Sequence, residues 1–308
     1  KMNTFKRVMA LAAAGAVCLA GFAGCGNKSD ADKTNADVSN SASSSVSSIT
    51  QAKTIQDLKG MKIGAQSGTF HADALNQIPD VKAEILPDFS DLLNALTTGA
   101  IDGYIAEEPT AFSVTEQDSS LTFLPFKNND TGFTATDSDV SVSIGVKKGS
   151  DLLAKVNEVL AGITDEQKSQ LMEQIVTLSN GGTVDKFALE SETPANPTGT
   201  LKVGMECNYK PYNWTDNTET FGAVPISSEG QEGLYANGYD VQVAKYVANK
   251  LGLKLEVYAM EFDSLITAVN AGTIDAIVAG MSPTEERKKE IDFSTPYYIS
   301  NLVVIVKK

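Results

Sequence analysis

One histidine, His71, and three cysteines in 308 residues remove several chemistries at the outset. A single imidazole makes hydrolytic triads and histidine relays hard to build, and no Cys/His pair stands at metal-ligand spacing, so neither a metal nor another cofactor is expected. Cations are scarce too: 25 Lys+Arg face 39 Asp+Glu, a net charge of -14 and a pI near 4.6. That balance disfavours nucleic acid, whose phosphates need clustered cations. The apolar run at residues 8–20 falls short of the roughly 20 residues a membrane-spanning helix requires. Otherwise the chain is 42% hydrophobic and 21% charged, enough for ordinary cores in more than one unit.

Lys1, Lys6 and Arg7 precede that apolar run, and Gly21-Phe22-Ala23-Gly24-Cys25 closes it with small residues. A basic start, a short apolar stretch and small residues form a targeting segment rather than part of a fold. The stretch resembles a bacterial lipoprotein signal, with Phe22 where such signals usually carry Leu. The resemblance implies that residues 1–25 are the signal and that Cys25 is lipidated. Residues 26–50, rich in Ser, Asn, Asp, Lys and Ala, read as a solvated flexible tether. A second linker spans 181–199 and ends in the Pro-containing ESETPANPTG. Cys18 lies inside the signal, so no internal disulfide is expected. Cys207 is expected as a half-buried strand-end residue and His71 as a surface or cleft-rim one.

The body repeats itself. Residues 89–107, FSDLLNALTTGAIDGYIAE, match 262–280, FDSLITAVNAGTIDAIVAG, and each copy is preceded by a similar strand, MKIGAQ at 61–66 and LKVGME at 201–206. Phe89, Leu92, Leu93 and Leu96 fall at i, i+3, i+4 and i+7 and predict a helix ended by Gly99, then a buried strand over 101–106. Phe262, Leu265, Ile266 and Val269 predict the same before Gly272 and a strand over 274–279. Strand, helix, strand with short loops predicts parallel sheets in two α/β lobes with a cleft between them. In such sheets ligands lie beyond the carboxyl ends of strands. That rule selects residues 66–70, Glu107, 206–209 and 280–282.

Ser282-Pro283-Thr284-Glu285 has the pattern of a capping box with Pro at the first helical position, predicting a helix from 282 whose free N–H groups face the cleft. Arg287 beside it would grip a carboxylate through two parallel hydrogen bonds, or else be a solvated arginine on a surface helix.

AGMSPTEERKKEIDFSTPYY at 279–298, NGYDVQVAKYVANKLG at 237–252 and KIGAQSGTF at 62–70 resemble the amino-acid-binding family of type II periplasmic substrate-binding proteins of ABC importers. Gln242 stands where that family usually has an acid, Glu107 where it more often has Asp, and the lobe order is inverted. The order implies a circular permutant, or a chain whose remaining lobe lies beyond residue 308. The resemblance implies a two-lobed α/β fold in which 51–144, completed by a strand at 302–308, forms the lobe usually second. The lobe usually first is then 147–300, with helices in 151–178 and the linker 181–199. Two strands, in 143–148 and 300–308, would cross between the lobes and come close at the hinge.

The same resemblance assigns roles. Arg287, with N–H groups of Ser282 and Thr69, would clamp the ligand carboxylate. Glu107, the Gly280 carbonyl and the Ser282 hydroxyl would cage its ammonium. Tyr209 and Phe262 would sandwich its side chain, and Gln66 and Phe70 would line the opposite wall; Tyr209 and Phe262 read equally as core. Glu206 would face a distal cation, favouring Lys, Arg or His, or else is a solvated strand-end carboxylate. The function implied is capture of a polar, cationic L-amino acid by lobe closure. The protein would be a monomer, lipid-anchored on the outer face of the cell membrane, serving an ABC permease without catalysis. Two other readings of the scaffold are an exported enzyme such as a cyclohexadienyl dehydratase and a ligand-sensing domain.

Overall fold

The computed structural model describes residues 48–308; the signal, Cys25 and the tether up to residue 47 lie outside them. In chain order its main elements are β1 (Lys62–Gln66), α1 (Phe70–Ala74), β2 (Lys82–Leu86), α2 (Phe89–Thr98), β3 (Gly103–Glu107), α3 (Glu108–Gln117) and β4 (Leu121–Leu124). There follow β5 (Gly145–Lys147), α4 (Leu152–Ala161), α5 (Asp165–Ser179), β6 (Thr200–Met205), α6 (Tyr239–Lys250) and β7 (Lys254–Ala259). The last are α7 (Leu265–Ala271), β8 (Ala276–Ile277), α8 (Arg287–Glu290), β9 (Ile291–Phe293) and β10 (Leu302–Lys307).

These strands form two five-stranded mixed sheets, ordered β2-β1-β3-β10-β4 and β7-β6-β8-β5-β9. In each, four strands run the same way and one enters antiparallel between two of them: β10 between β3 and β4, and β5 between β8 and β9. This is the two-lobed α/β class expected. Strands β5 and β10, which the resemblance brings close at the hinge, belong to different sheets. The adjacent crossing is one step upstream of β10, where Tyr298–Ile299 pairs antiparallel with Ser141–Val142.

Local sequence accounts for the repeated unit. Asp88 caps α2 by accepting from Asp91 N at 2.8 Å, Leu92 and Leu96 face the core, and Gly99 ends the helix at φ 80° in the left-handed region. In the second copy a 3-10 turn, Phe262–Ser264, leads into α7, and Gly272 ends it at φ 78°.

The helix predicted from Ser282 does not form. Arg287 Nη1 donates to the Ser282 carbonyl at 2.9 Å and Thr284 N to the same carbonyl at 3.0 Å. Residues 281–284 are irregular, 285–286 form a turn, and α8 begins only at Arg287. The guanidinium, bonded also across to the Gly68 carbonyl, takes the Ser282 carbonyl that the capping pattern would leave to a helix.

Candidate functional site

Nine of the ten residues picked from sequence line one cavity: Gln66, Thr69, Phe70, Glu107, Tyr209, Phe262, Gly280, Ser282 and Arg287, joined by His71, Phe89 and Ala279. They come from the carboxyl ends of β1, β3 and β8 and from the loops after β6 and β7. The walls are close. The cavity measures about 10 Å³, near the least that admits one water.

Arg287 dominates the electrostatics. It is buried, its guanidinium carbon lies 5.2 Å from the centroid of the Phe262 ring, and Nη2 donates to the Gly68 carbonyl. Burial lowers its pKa to about 10, while Asp263 and Asp73 oppose the shift, so it stays cationic at neutral pH. Glu107 is equally buried; Oε1 meets His71 Nε2 at 3.1 Å, and Oε2 has no partner among the described residues. One side of the site therefore offers a guanidinium and another a carboxylate with a free oxygen.

His71 is consequently not the surface or rim residue expected: it is 5% exposed, paired with Glu107, and edge-on to Phe89 with ring centroids 5.9 Å apart. Cys207 is buried rather than half-buried, at φ 56°, and burial pushes its thiol up to about 12, which keeps it protonated and unreactive.

The aromatic arrangement differs from a simple sandwich of Tyr209 and Phe262. Tyr209 stacks on Phe89, with centroids 4.0 Å apart and planes 6° apart, and on Tyr212 with centroids 5.0 Å apart. Phe89 was not picked from sequence, although the repeat itself pairs it with Phe262. Gly280, at φ 61°, lies so close to Tyr209 that a Cβ there would fall 3.0 Å from a ring carbon.

Two cleft-lining loops share one buried support. Asp240 accepts from Tyr297 Oη at 2.6 Å and from Asn213 Nδ2 at 2.8 Å; Asn213 in turn accepts from Cys207 N at 2.7 Å, and Tyr297 Oη from Gly280 N at 3.3 Å. Burial raises the Asp240 pKa to about 6, against the opposing effect of those bonds. The carboxylate thereby fixes both the 207–209 and the 280–282 segments. Gln242, the departure noted beside it, donates to the Gly222 carbonyl at 2.8 Å and so holds a neighbouring loop.

Glu206 is the residue set apart. It lines an adjoining cavity of about 480 Å³ rather than the first. Gln66 Nε2 links the two by donating to Glu206 Oε2 at 2.9 Å, while Oε1 is buried without a partner among the described residues. Burial raises its pKa to about 7.

Among known proteins, the family described as bacterial extracellular solute-binding proteins, family 3, matches residues 201–308. The chain is 38% identical over 108 residues to the arginine-binding extracellular protein ArtP of Bacillus subtilis, a match covering 35% of this chain and 36% of ArtP. It is 36% identical over 114 residues to a probable histidine-binding protein of Campylobacter jejuni, covering 37% of this chain and 38% of that protein. To the L-cystine-binding protein TcyJ of Escherichia coli K12 it is 31% identical over 134 residues, covering 43% of this chain and 45% of TcyJ. The chain thus spans less than half the length of these curated relatives, all of which are named as binding proteins. Residues 201–308 thus carry the likeness to the bacterial extracellular solute-binding proteins, family 3.

Proposed function

We propose that this protein captures a polar, cationic L-amino acid outside the cytoplasm and delivers it to an ABC permease, held to the outer face of the membrane by a lipid on Cys25 and working as a monomer. The observation that carries the reading is the buried pairing of unlike charges around one small cavity, Arg287 on one side and the free Glu107 oxygen on another. A zwitterion satisfies both at once, its carboxylate replacing backbone carbonyls on the guanidinium and its ammonium adding to Glu107. The contributing segments belong to both sheets, so the ligand enters with the walls further apart than the present cavity of about 10 Å³ allows, and the sheets close around it. Helices among the described residues are too short or too polar to cross a membrane, in keeping with attachment by lipid. The inverted lobe order fits a circular permutant, with β10, which follows the strands of the second sheet, completing the first.

Preference for a cation rests on Glu206, a desolvated carboxylate with one free oxygen, and accords with relatives named for arginine and histidine. A thermal-shift screen of the twenty amino acids tests the reading directly, since specific binders raise the melting temperature by mass action. L-Arginine, L-lysine or L-histidine should give the largest shift, and Arg287→Ala should cost at least about 2–5 kcal/mol of binding free energy. Wild-type affinity in that variant removes the clamp. Glu206→Gln should weaken L-arginine more than L-glutamine; equal losses withdraw the cationic preference.

A further inference from the structure

The second cavity holds more than the carboxylate of Glu206. Lys210 lines it as well, its Nζ 5.5 Å from the centroid of the Trp214 ring. The two charges are not each other's partners: Glu206 Oε2 is held by Gln66, and Lys210 Nζ donates to the Ser179 carbonyl at 3.4 Å. Thr110, 2% exposed, adds a hydroxyl with no partner among the described residues. A cavity of about 480 Å³ with an ammonium, a half-satisfied carboxylate and an orphaned hydroxyl repeats the composition of the first site, one cation and one anion. Phe89 lines both cavities, and its ring stacks on that of Tyr209, which lines the first.

Resting on the amino-acid reading of the first site, we propose that the adjoining cavity receives a second α-amino-acid head, so that the cargo is a two-headed amino acid whose chain runs past Phe89, the residue both cavities share. The distal carboxylate of such a ligand meets Lys210 and Thr110, and its distal ammonium meets Glu206. A ligand with a bare distal ammonium answers Glu206 but leaves Lys210 facing a like charge.

L-Lysine and LL-diaminopimelate differ by one distal carboxylate and isolate this term. Isothermal titration of the full chain should show diaminopimelate binding at least about tenfold tighter than lysine. Lys210→Met should bring that ratio to about one, and Lys210→Arg should restore it, which a mere loss of folding would not do. Equal or weaker binding of diaminopimelate by wild type overturns the proposal, as does an unchanged ratio in Lys210→Met. If arginine or lysine binds and diaminopimelate does not, the second head alone is refuted. If no amino acid binds, the parent reading falls and takes this one with it.

Discussion

The two copies of the repeat share a frame and differ where they face the cleft. In the first, Gly64 of β1 lets Leu92 approach until an added Cβ would sit 2.6 Å from its Cδ2; in the second, Gly204 of β6 does the same for Leu265 at 2.9 Å. Asp102 Oδ2 accepts from Lys62 N at 2.8 Å, and Asp275 Oδ2 from Lys202 N at 2.8 Å. Both helices stop on a left-handed glycine. At the strand ends the likeness fails: Glu107 answers Gly280, and Gln66 answers Glu206. Packing between a strand and the helix returning over it admits few solutions, so the frame residues recur. Side chains pointing past the strand ends carry no such constraint and are where the two walls became chemically unequal.

If the frames are equivalent, matched deletions should cost alike. Leu92 and Leu265 are both fully buried, and each Leu→Ala should lose about 2–5 kcal/mol by chemical denaturation. A large loss in one copy beside less than about 1 kcal/mol in the other would break the equivalence.

The cleft residues should separate instead. Glu206 holds its proton in the folded state up to about pH 7, whereas an unperturbed carboxyl loses it near 4.5. The folded state binds the extra proton between those values, so this contribution is full below pH 4.5 and is lost as pH rises through about 7. The loss is on the order of 3 kcal/mol at most. Asp240, raised to about 6 by burial, acts in the same direction, so the measurement is the difference between wild type and Glu206→Gln across pH 4 to 8 (roughly the titration range of raised carboxyls). Gln66, in the equivalent place of the other copy, has no such proton, but its amide holds Glu206 Oε2 and opposes the rise of that carboxyl, so Gln66→Ala should extend the slope to higher pH.

How much of this was legible follows the same division. Apolar spacing marked α2 and the glycines that end both helices, because burial and left-handed caps are local demands. The clustering of Arg287, Glu107 and their neighbours came through family motifs at strand ends. The pairing of His71 with Glu107 left no local trace, since nothing around HADAL distinguishes a buried histidine from an exposed one. Phe89 did leave a trace, as the counterpart of Phe262, but its partner Tyr209 belongs to another lobe. At Ser282 the local pattern misled, because a buried guanidinium took the carbonyl that a helix would have used.

The smallest expected effect probes the frame at its surface. Asp102 and Asp275 are exposed, yet each ties a lysine of its neighbouring strand from both sides: Asp102 N donates to Lys62 O at 2.8 Å, and Asp275 N to Lys202 O at 2.8 Å. Replacing either with Asn keeps the backbone bond and exchanges a charged acceptor for a neutral one, which should cost about 1 kcal/mol. Equal shifts in denaturation midpoint would show that the repeat is energetic as well as geometric. A shift confined to Asp275 would mean that the first sheet holds β1 by other contacts, and the likeness of the two copies would then be one of shape alone.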